Sequence, residues 1–146
     1  MSLLRVEQMT HFFGGLRAVH DFSLAIAPSK DSYVTTATPD ANKGTDTSLS
    51  VGYVSGPVGS TRHTLIAFDL SALPADAVIL TATLELYQTS SASFNIRARA
   101  ITAAWTETGV TWNNQPTTST TEVVDEGGGV GEWRRWNITA MTKKWR

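Results

Sequence analysis

One run of alternating apolar residues constrains the fold more than any other feature of this sequence. From position 78 to 86 every second residue is apolar, while Thr81, Thr83 and Glu85 lie between them. Side chains of a β-strand alternate between the two faces of a sheet, so this spacing predicts a strand with one buried face. Three further stretches repeat the pattern: 49–53, 66–70 and 94–100. We therefore predict an all-β protein, an antiparallel, jelly-roll-like β-sandwich with one short C-terminal helix.

The amino-acid composition says more about the possible partners of this protein than about its fold. The 146 residues suit one domain, and a net charge of −1 gives no general attraction to nucleic acid or to an anionic membrane. We expect neither as a partner. The absence of cysteine excludes disulfides and thiolate metal sites. The first residues lack a basic segment followed by an apolar one, so we expect no signal peptide and cytoplasmic expression, with the natural localisation left open.

Residues 3–27 have the pattern of a β-hairpin. Gly14 and Gly15 can form its turn, and Pro28 ends its second strand. Two strands with one apolar face are not stable alone in water, so we expect the hairpin to pack onto the sandwich or complete it. Five side chains should then face the core: Leu4, Val6, Phe22, Leu24 and Ile26.

These patterns predict a boundary near residue 28. Residues 1–28 are interpreted as a hairpin segment and 29–146 as the sandwich, the two folding together as one unit. A hinge at positions 27–29 would also let the hairpin complete a neighbouring copy. A strand-swapped homo-oligomer is therefore favoured slightly over a monomer.

The hairpin stretch resembles the N-terminal hairpin of ATP-binding-cassette ATPases of the branched-chain amino acid importer type. In that family an aromatic residue near the position of Phe13 contacts adenine. The glycine-rich phosphate loop with its lysine and hydroxyl does not follow here. We therefore predict no nucleotide site and no ATP binding.

The most distinctive stretch runs from Trp105 to Pro116, with the sequence WTETGVTWNNQP. Trp105 and Trp112 bracket it, and Asn113, Asn114 and Pro116 are typical of a turn. A packed structural corner is favoured over a ligand platform.

Residues 31–146 resemble the DNRLRE modules, which are disaggregatase-related, carbohydrate-binding β-sandwiches of microbial surface proteins. The likeness rests on the WTETGVTWNNQP stretch, on segments around positions 31–44, 62–71 and 82–87, and on the C-terminal stretch from Trp136. It implies carbohydrate binding outside the cell. The module is expected to be C-terminally truncated.

No arrangement of side chains predicts catalysis. The histidines His11, His20 and His63 have neither metal-ligand spacing nor a nucleophile beside them. No pair of carboxylates can be assigned as an acid and its partner from the sequence. We predict that the protein is not an enzyme.

Two groups of residues are candidate binding sites. Asp40, Asn42 and Asp46 surround a glycine and could supply oxygens to calcium, although Asx-turns explain the same residues. Arg97 and Arg99 lie two residues apart and should form a cationic ridge able to bind uronate carboxylates. A solvated face that protects a sheet edge is the alternative for this ridge.

Two functional interpretations remain. The first is a non-catalytic scaffold joined from unrelated segments, an artificial chimera or a fused reading frame, with at most residual affinity for acidic polysaccharide. The second is a genuine carbohydrate-binding or adhesion module of a microbial cell-surface protein. The sequence names no cofactor other than the calcium candidate.

Overall fold

A computed structural model describes residues 2–13, 16–91 and 94–145. Side chains are described for these residues except those at positions 10–22. Nine strands and one helix follow in order: β1 (Ser2–Phe13), β2 (Leu16–Ile26), β3 (Pro28–Thr35), β4 (Gly52–Val54), β5 (Ser60–Phe68), β6 (Thr81–Tyr87), β7 (Arg97–Ile101), β8 (Thr118–Val124), β9 (Trp133–Asn137) and α1 (Thr139–Thr142). The sheets are antiparallel, which confirms the predicted all-β sandwich class with one short helix. No helix in the described ranges is long and apolar enough to cross a membrane.

The chain divides into two compact units. The first comprises Met1–Pro28, Phe68–Ala98 and Val123–Arg146, and the second Ser29–Ala67 and Arg99–Glu122. The chain passes between the units several times, so neither is one continuous stretch of sequence.

The first unit is built on a four-stranded sheet in the order β2-β1-β6-β9. Leu4 of β1 pairs with Ile26 of β2 on one side and with Leu84 of β6 on the other. Leu4 and Val6 are fully buried, whereas Leu24 and Ile26 are half-buried. The N-terminal hairpin therefore joins the sheet, as predicted. The side chain of Phe22 lies outside the described residues.

The alternating run at 78–86 is a strand only over its second half. β6 begins at Thr81, and Ala82 is fully buried on its inner face. Before the strand the pattern is reversed, because Ile79 is 3% exposed while Val78 and Leu80 are each 48% exposed. The prediction that Val78 and Leu80 face the core was wrong. Val78 follows a turn and forms only an isolated bridge, and Leu80 lies outside any strand, so strict alternation is not imposed on them.

The C-terminal helix packs against β6 in the first unit. Trp136 is 1% exposed, and Met141 and Thr142 are buried in the four-residue helix. The Thr139 hydroxyl accepts a hydrogen bond from the Ala82 amide at 2.9 Å, and the Ile138 amide donates to the Ala82 carbonyl at 2.9 Å. These bonds tie the helix to the start of β6.

The second unit has a smaller apolar core. It contains a three-stranded sheet in the order β3-β5-β4. Strands β7 and β8 pair with each other, and β7 ends in this unit while β8 begins in it. Val34, Leu65 and Val110 are buried together, and Ile101, Trp105 and Trp112 pack against them. Polar contacts also connect the segments of this unit.

Candidate functional site

The WTETGVTWNNQP stretch forms a corner of the second unit. Lys30 lies over the indole of Trp105 at 4.6 Å from the ring centroid, and its ammonium donates to the Trp105 carbonyl at 2.6 Å. The cation is thus held by the ring face and by a backbone oxygen at once. Trp105 is half-buried and packs on the core of this unit.

Asn42 fastens this corner to the preceding loop. Its side-chain amide donates to the carbonyls of Glu107 and Val110, both at 2.7 Å, and its side-chain oxygen accepts from the Gly44 amide at 3.1 Å. A Cβ at Gly44 would lie only 2.2 Å from the Glu107 carbonyl oxygen. The two loops therefore approach so closely that only glycine fits.

The other two calcium candidates also bond to protein groups. Asp40 accepts a hydrogen bond from the Asn113 side chain at 2.7 Å, and Asp46 accepts one from the Tyr33 hydroxyl at 3.0 Å. Among the described residues, no group of three or more His, Cys, Asp or Glu side chains is placed to hold a metal ion. A calcium site at Asp40, Asn42 and Asp46 stays a prediction.

The Glu107 carboxylate contacts the backbone of Asp31 beside the corner. The Asp31 amide donates to Glu107 Oε1 at 2.8 Å. Partial burial and the nearby charge of Glu107 raise the pKa of the Asp31 carboxyl above its ordinary value. Burial, followed by the hydrogen bond to Asp46, likewise raises the pKa of Tyr33. This environment disfavours an added negative charge.

The second tryptophan of the stretch contacts a histidine. The rings of His63 and Trp112 lie 4.8 Å apart, and His63 Nδ1 is 2.8 Å from Gln115 Oε1. Gln115 also donates to the Trp112 carbonyl at 2.9 Å, and Asn114 bonds to the backbone of Gly109 at 3.0 Å. The side-chain amides of Asn114 and Gln115 thus bond to the backbone of their own stretch, which agrees with the structural interpretation.

Arg97 and Arg99 are both exposed on β7. Arg99 forms two hydrogen bonds to Glu122, at 3.2 and 2.8 Å, so its charge is already partly compensated. Arg97 is assigned to the first unit and Arg99 to the second. Their role in ligand binding stays a prediction.

A further polar surface lies on the outer face of the four-stranded sheet, and the sequence did not predict it. An open groove of about 260 Å³ is lined by Arg5, Glu7, Thr83, Glu85 and Arg135. We call these five residues, together with Tyr87 and Trp133, the polar face. Its members come from three strands whose pairing is not visible in the sequence.

Glu85 is the centre of the polar face. Its side chain is only 7% exposed, although it points away from the core. Arg135 donates to it through Nε at 2.8 Å, and Arg5 Nε lies 3.5 Å away. Both arginine side chains remain about half exposed, at 49% and 47%. The carboxylate is covered by two guanidinium groups that still reach solvent.

An aromatic pair continues the polar face along β6 and β9. Tyr87 pairs with Trp133 in the ladder, and their rings meet edge to face with centroids 5.5 Å apart. Tyr87 is 42% exposed. Exposed aromatic rings beside fixed polar groups are typical of a ligand-binding surface.

These features define an all-β chain in which one sheet carries a polar face with an aromatic pair at its edge. The chain belongs to carbohydrate-binding module family 96, whose family model matches residues 23–146. Comparisons with curated proteins and with solved structures gave no significant match.

The family match separates the two functional interpretations. It supports the carbohydrate-binding part of the resemblance and favours a genuine module over a chimera of unrelated segments. The likeness of the hairpin to transporter ATPases gains no support. The match begins at Ser23 within β2, so β1 lies outside it. The narrower DNRLRE assignment stays a prediction.

Proposed function

We propose that this chain is a carbohydrate-binding module of a microbial extracellular or cell-surface protein, and that it holds polysaccharide without cleaving it. The observation that carries the proposal is the family match over residues 23–146. The antiparallel sheets support it, since a rigid sheet can present side chains at fixed spacing to an extended sugar chain.

A finer proposal concerns the charge of the ligand. Arg97 and Arg99 are exposed and would attract the carboxylates of an acidic polysaccharide. Exposed charges are screened over about 8 Å at physiological ionic strength, so this contribution should weaken as salt is added.

Affinity electrophoresis against neutral and acidic polysaccharides tests both the carbohydrate binding and the preference for an acidic ligand. We expect retardation by at least one polysaccharide, with no change in the chain length of that polysaccharide after incubation. If Arg97 and Arg99 act as proposed, the Arg97→Ala/Arg99→Ala variant loses retardation by alginate-type gels at low salt. Lys143→Ala/Lys144→Ala is the matched control, because it removes the same charge from two other exposed positions.

Calcium binding and self-association are two further parts of this proposal, and each can be tested. A calcium site predicts a rise in melting temperature on adding calcium that Asp40→Asn/Asp46→Asn abolishes. A strand-swapped oligomer predicts a solution mass above that of one chain, which is 15.8 kDa.

A further inference from the structure

We propose that an aromatic strip in the second unit binds the polysaccharide by packing against the C–H faces of its pyranose rings. The strip consists of Tyr53, Thr61, His63 and Trp112, all of which belong to this unit. The inference rests on the proposed function and adds a surface that acts on sugar rings and hydroxyls, whatever the charge of the chain. It is separate from the arginines at positions 97 and 99, which would act on carboxylates.

Tyr53 supplies the most exposed ring of the strip. It lies in β4 and is 65% exposed, and Val54 and Val58 of the same hairpin are also exposed, at 44% and 86%. The chain from position 47 to 61 carries no charged side chain. Exposed apolar side chains grouped on an uncharged hairpin are typical of a contact site.

Gly59 determines where the Tyr53 ring lies. A Cβ at Gly59 would be 2.5 Å from Cζ of Tyr53, so the ring lies directly against the backbone at this glycine. A side chain at position 59 would push the ring away. Tyrosine has only two side-chain torsions, and a ring already in place loses little conformational freedom when a ligand binds.

The register of β4 and β5 puts the members of the strip on one face. Tyr53 lies opposite Thr61, and His63 follows Thr61 by two residues on the same strand. Diagonal neighbours on paired strands lie roughly 7–8 Å apart, within reach of aromatic side chains. The His63 ring in turn lies 4.8 Å from that of Trp112. Three rings therefore follow one another, and an extended sugar chain can lie along them.

His63 adds a hydrogen-bonding group with a defined orientation. The Gln115 side chain donates to the Trp112 carbonyl at 2.9 Å, which directs its Oε1 at His63 Nδ1, 2.8 Å away. Nδ1 therefore carries the proton in this contact, and Nε2 of the neutral ring can accept a hydrogen bond from a sugar hydroxyl. The exposed histidine is supported by a tryptophan that packs on the core of the unit.

A packing role explains Trp112 but not Tyr53. Trp112 is half-buried against the cluster of Val34, Leu65 and Val110. Tyr53 leaves most of its surface in solvent, so it adds little burial, and a β-branched residue would suit the strand equally well. An exposed ring held in place beside groups that can form hydrogen bonds suits a ligand better than it suits the fold.

The strip and the arginines should respond differently to salt. The strip contains neither a carboxylate nor a guanidinium group, so its contribution to affinity should be nearly independent of ionic strength. The contribution of exposed arginines falls as salt is added, because their charges are screened. Affinity that remains at high salt should therefore depend on Tyr53.

Isothermal titration calorimetry with alginate, xylan and a β-glucan at low and high salt tests the strip. Tyr53→Ala should weaken binding about tenfold or more for each polysaccharide that the parent protein binds, by a similar factor at both salt concentrations. Tyr53→Phe should retain binding because the ring is kept, and Gly59→Ala should weaken it by displacing that ring. Val58→Ala is the matched control, because it removes another exposed apolar side chain of the same hairpin.

Saturation-transfer NMR gives a second measurement that reports contact directly. Irradiating the aromatic protons of the protein should transfer saturation to the ring C–H protons of an oligosaccharide cut from the bound polysaccharide. The transfer should fall sharply in Tyr53→Ala and persist in Tyr53→Phe. Tyr53→Leu keeps the apolar bulk without the ring, and it should lose both transfer and affinity while melting within a few degrees of the parent.

Three results would contradict the proposal at different levels. Unchanged affinity of Tyr53→Ala at high salt would overturn the strip and leave the proposed function intact. A lower oligomeric mass of that variant with unchanged affinity would assign the ring to a contact between copies of the chain, and would also overturn the strip. A parent protein that binds none of the three polysaccharides would overturn the proposed function itself.

Discussion

The two units use their polar side chains in opposite ways. In the second unit, the side-chain amides of the distinctive WTETGVTWNNQP stretch bond to its own backbone and to Asp40 of the neighbouring loop. In the first unit, Arg5 and Arg135 reach solvent from regular strands and pair with the buried carboxylate of Glu85. The more conspicuous motif therefore builds structure, whereas the polar face is formed by residues that no motif in the sequence marks.

The two units also differ in the size of their apolar cores. The first unit buries Leu4, Val6, Met9 and Trp136 to 2% exposure or less. The core of the second is centred on three buried residues, Val34, Leu65 and Val110. With less apolar area to bury, the second unit depends more on hydrogen bonds such as those of Asn42.

Deleting residues 1–28 should have the largest effect and would test whether the first unit needs its hairpin. Leu4, Val6 and Met9 are each 2% exposed or less, and their burial contributes roughly 5–9 kcal/mol before entropy is subtracted. That is comparable to the net stability of a whole domain, about 5–15 kcal/mol. We expect loss of cooperative unfolding, measured by circular dichroism and denaturant titration.

A full-length control separates the hairpin's packing from its mere presence. Leu4→Ala/Val6→Ala should lower the free energy of unfolding by several kcal/mol, whereas Leu3→Ala on the other face should cost much less. A truncated protein that stays soluble and equally heat-resistant would show that the hairpin is dispensable.

Substitutions at glycine test how tightly the second unit is held together. In Gly44→Ala the new methyl group would meet the Glu107 carbonyl at 2.2 Å, so one loop must move. We expect a loss of about 1–3 kcal/mol in chemical denaturation. Gly56→Ala is the matched control, because nothing lies within 4 Å of its Cβ position. Equal stability of the two variants would contradict the close approach of the loops.

Asn42→Ala tests how much the side-chain hydrogen bonds of the same corner contribute to stability. It removes two donors at 2.7 Å and one acceptor at 3.1 Å, leaving the carbonyls of Glu107 and Val110 short of partners. The expected loss is about 2 kcal/mol in chemical denaturation, with Asn114→Ala costing less because Asn114 is exposed. Similar losses in both would show that Asn42 has no special role.

The smallest predicted effect is a contrast in pH dependence between the units. The raised pKa of Asp31 means that its ionisation opposes folding, so its contribution to stability is present below the ordinary aspartate pKa of about 3.9 and is lost as pH rises through the raised value. Asp31→Asn should therefore raise the melting temperature at neutral pH and not below about pH 3.5. Solvent screening should keep the gain below about 1 kcal/mol.

Asp69 in the first unit should show the opposite sign. Hydrogen bonds from Ser71 lower the pKa of Asp69, so its contribution is present above the ordinary aspartate pKa and is lost as pH falls. Asp69→Asn should lower the melting temperature at neutral pH. If Asp31→Asn and Asp69→Asn shift it in the same direction at neutral pH, these electrostatic assignments are wrong.

Individual strands were predicted best where the alternating pattern coincides with a paired strand. Ala82 in the second half of the 78–86 run is buried as expected, and Arg97 and Arg99 alternate with less exposed neighbours. Val78 and Leu80 were misassigned because alternation in sequence orients side chains only while the backbone is held in a ladder. Where a strand begins depends on partners far away in the chain.

The polar face was beyond sequence reasoning for a related reason. Glu85 was recognised as facing away from the core, but its burial depends on Arg5 and Arg135, which lie 80 and 50 positions away. In the stretch WRRW at 133–136 two tryptophans flank two arginines, and the sequence does not indicate which of them share a surface with β6.

The sequence by itself determined the all-β class, the hairpin at the N-terminus and the short helix at the C-terminus, because side-chain periodicity and turn residues are local properties. It also carried enough of the family pattern to predict carbohydrate binding. Only the tertiary structure decided that β1 lies between β2 and β6, and so placed Arg5 beside Glu85. Strand order and register depend on which apolar faces can be buried together, a property of the whole chain and not of any stretch of it.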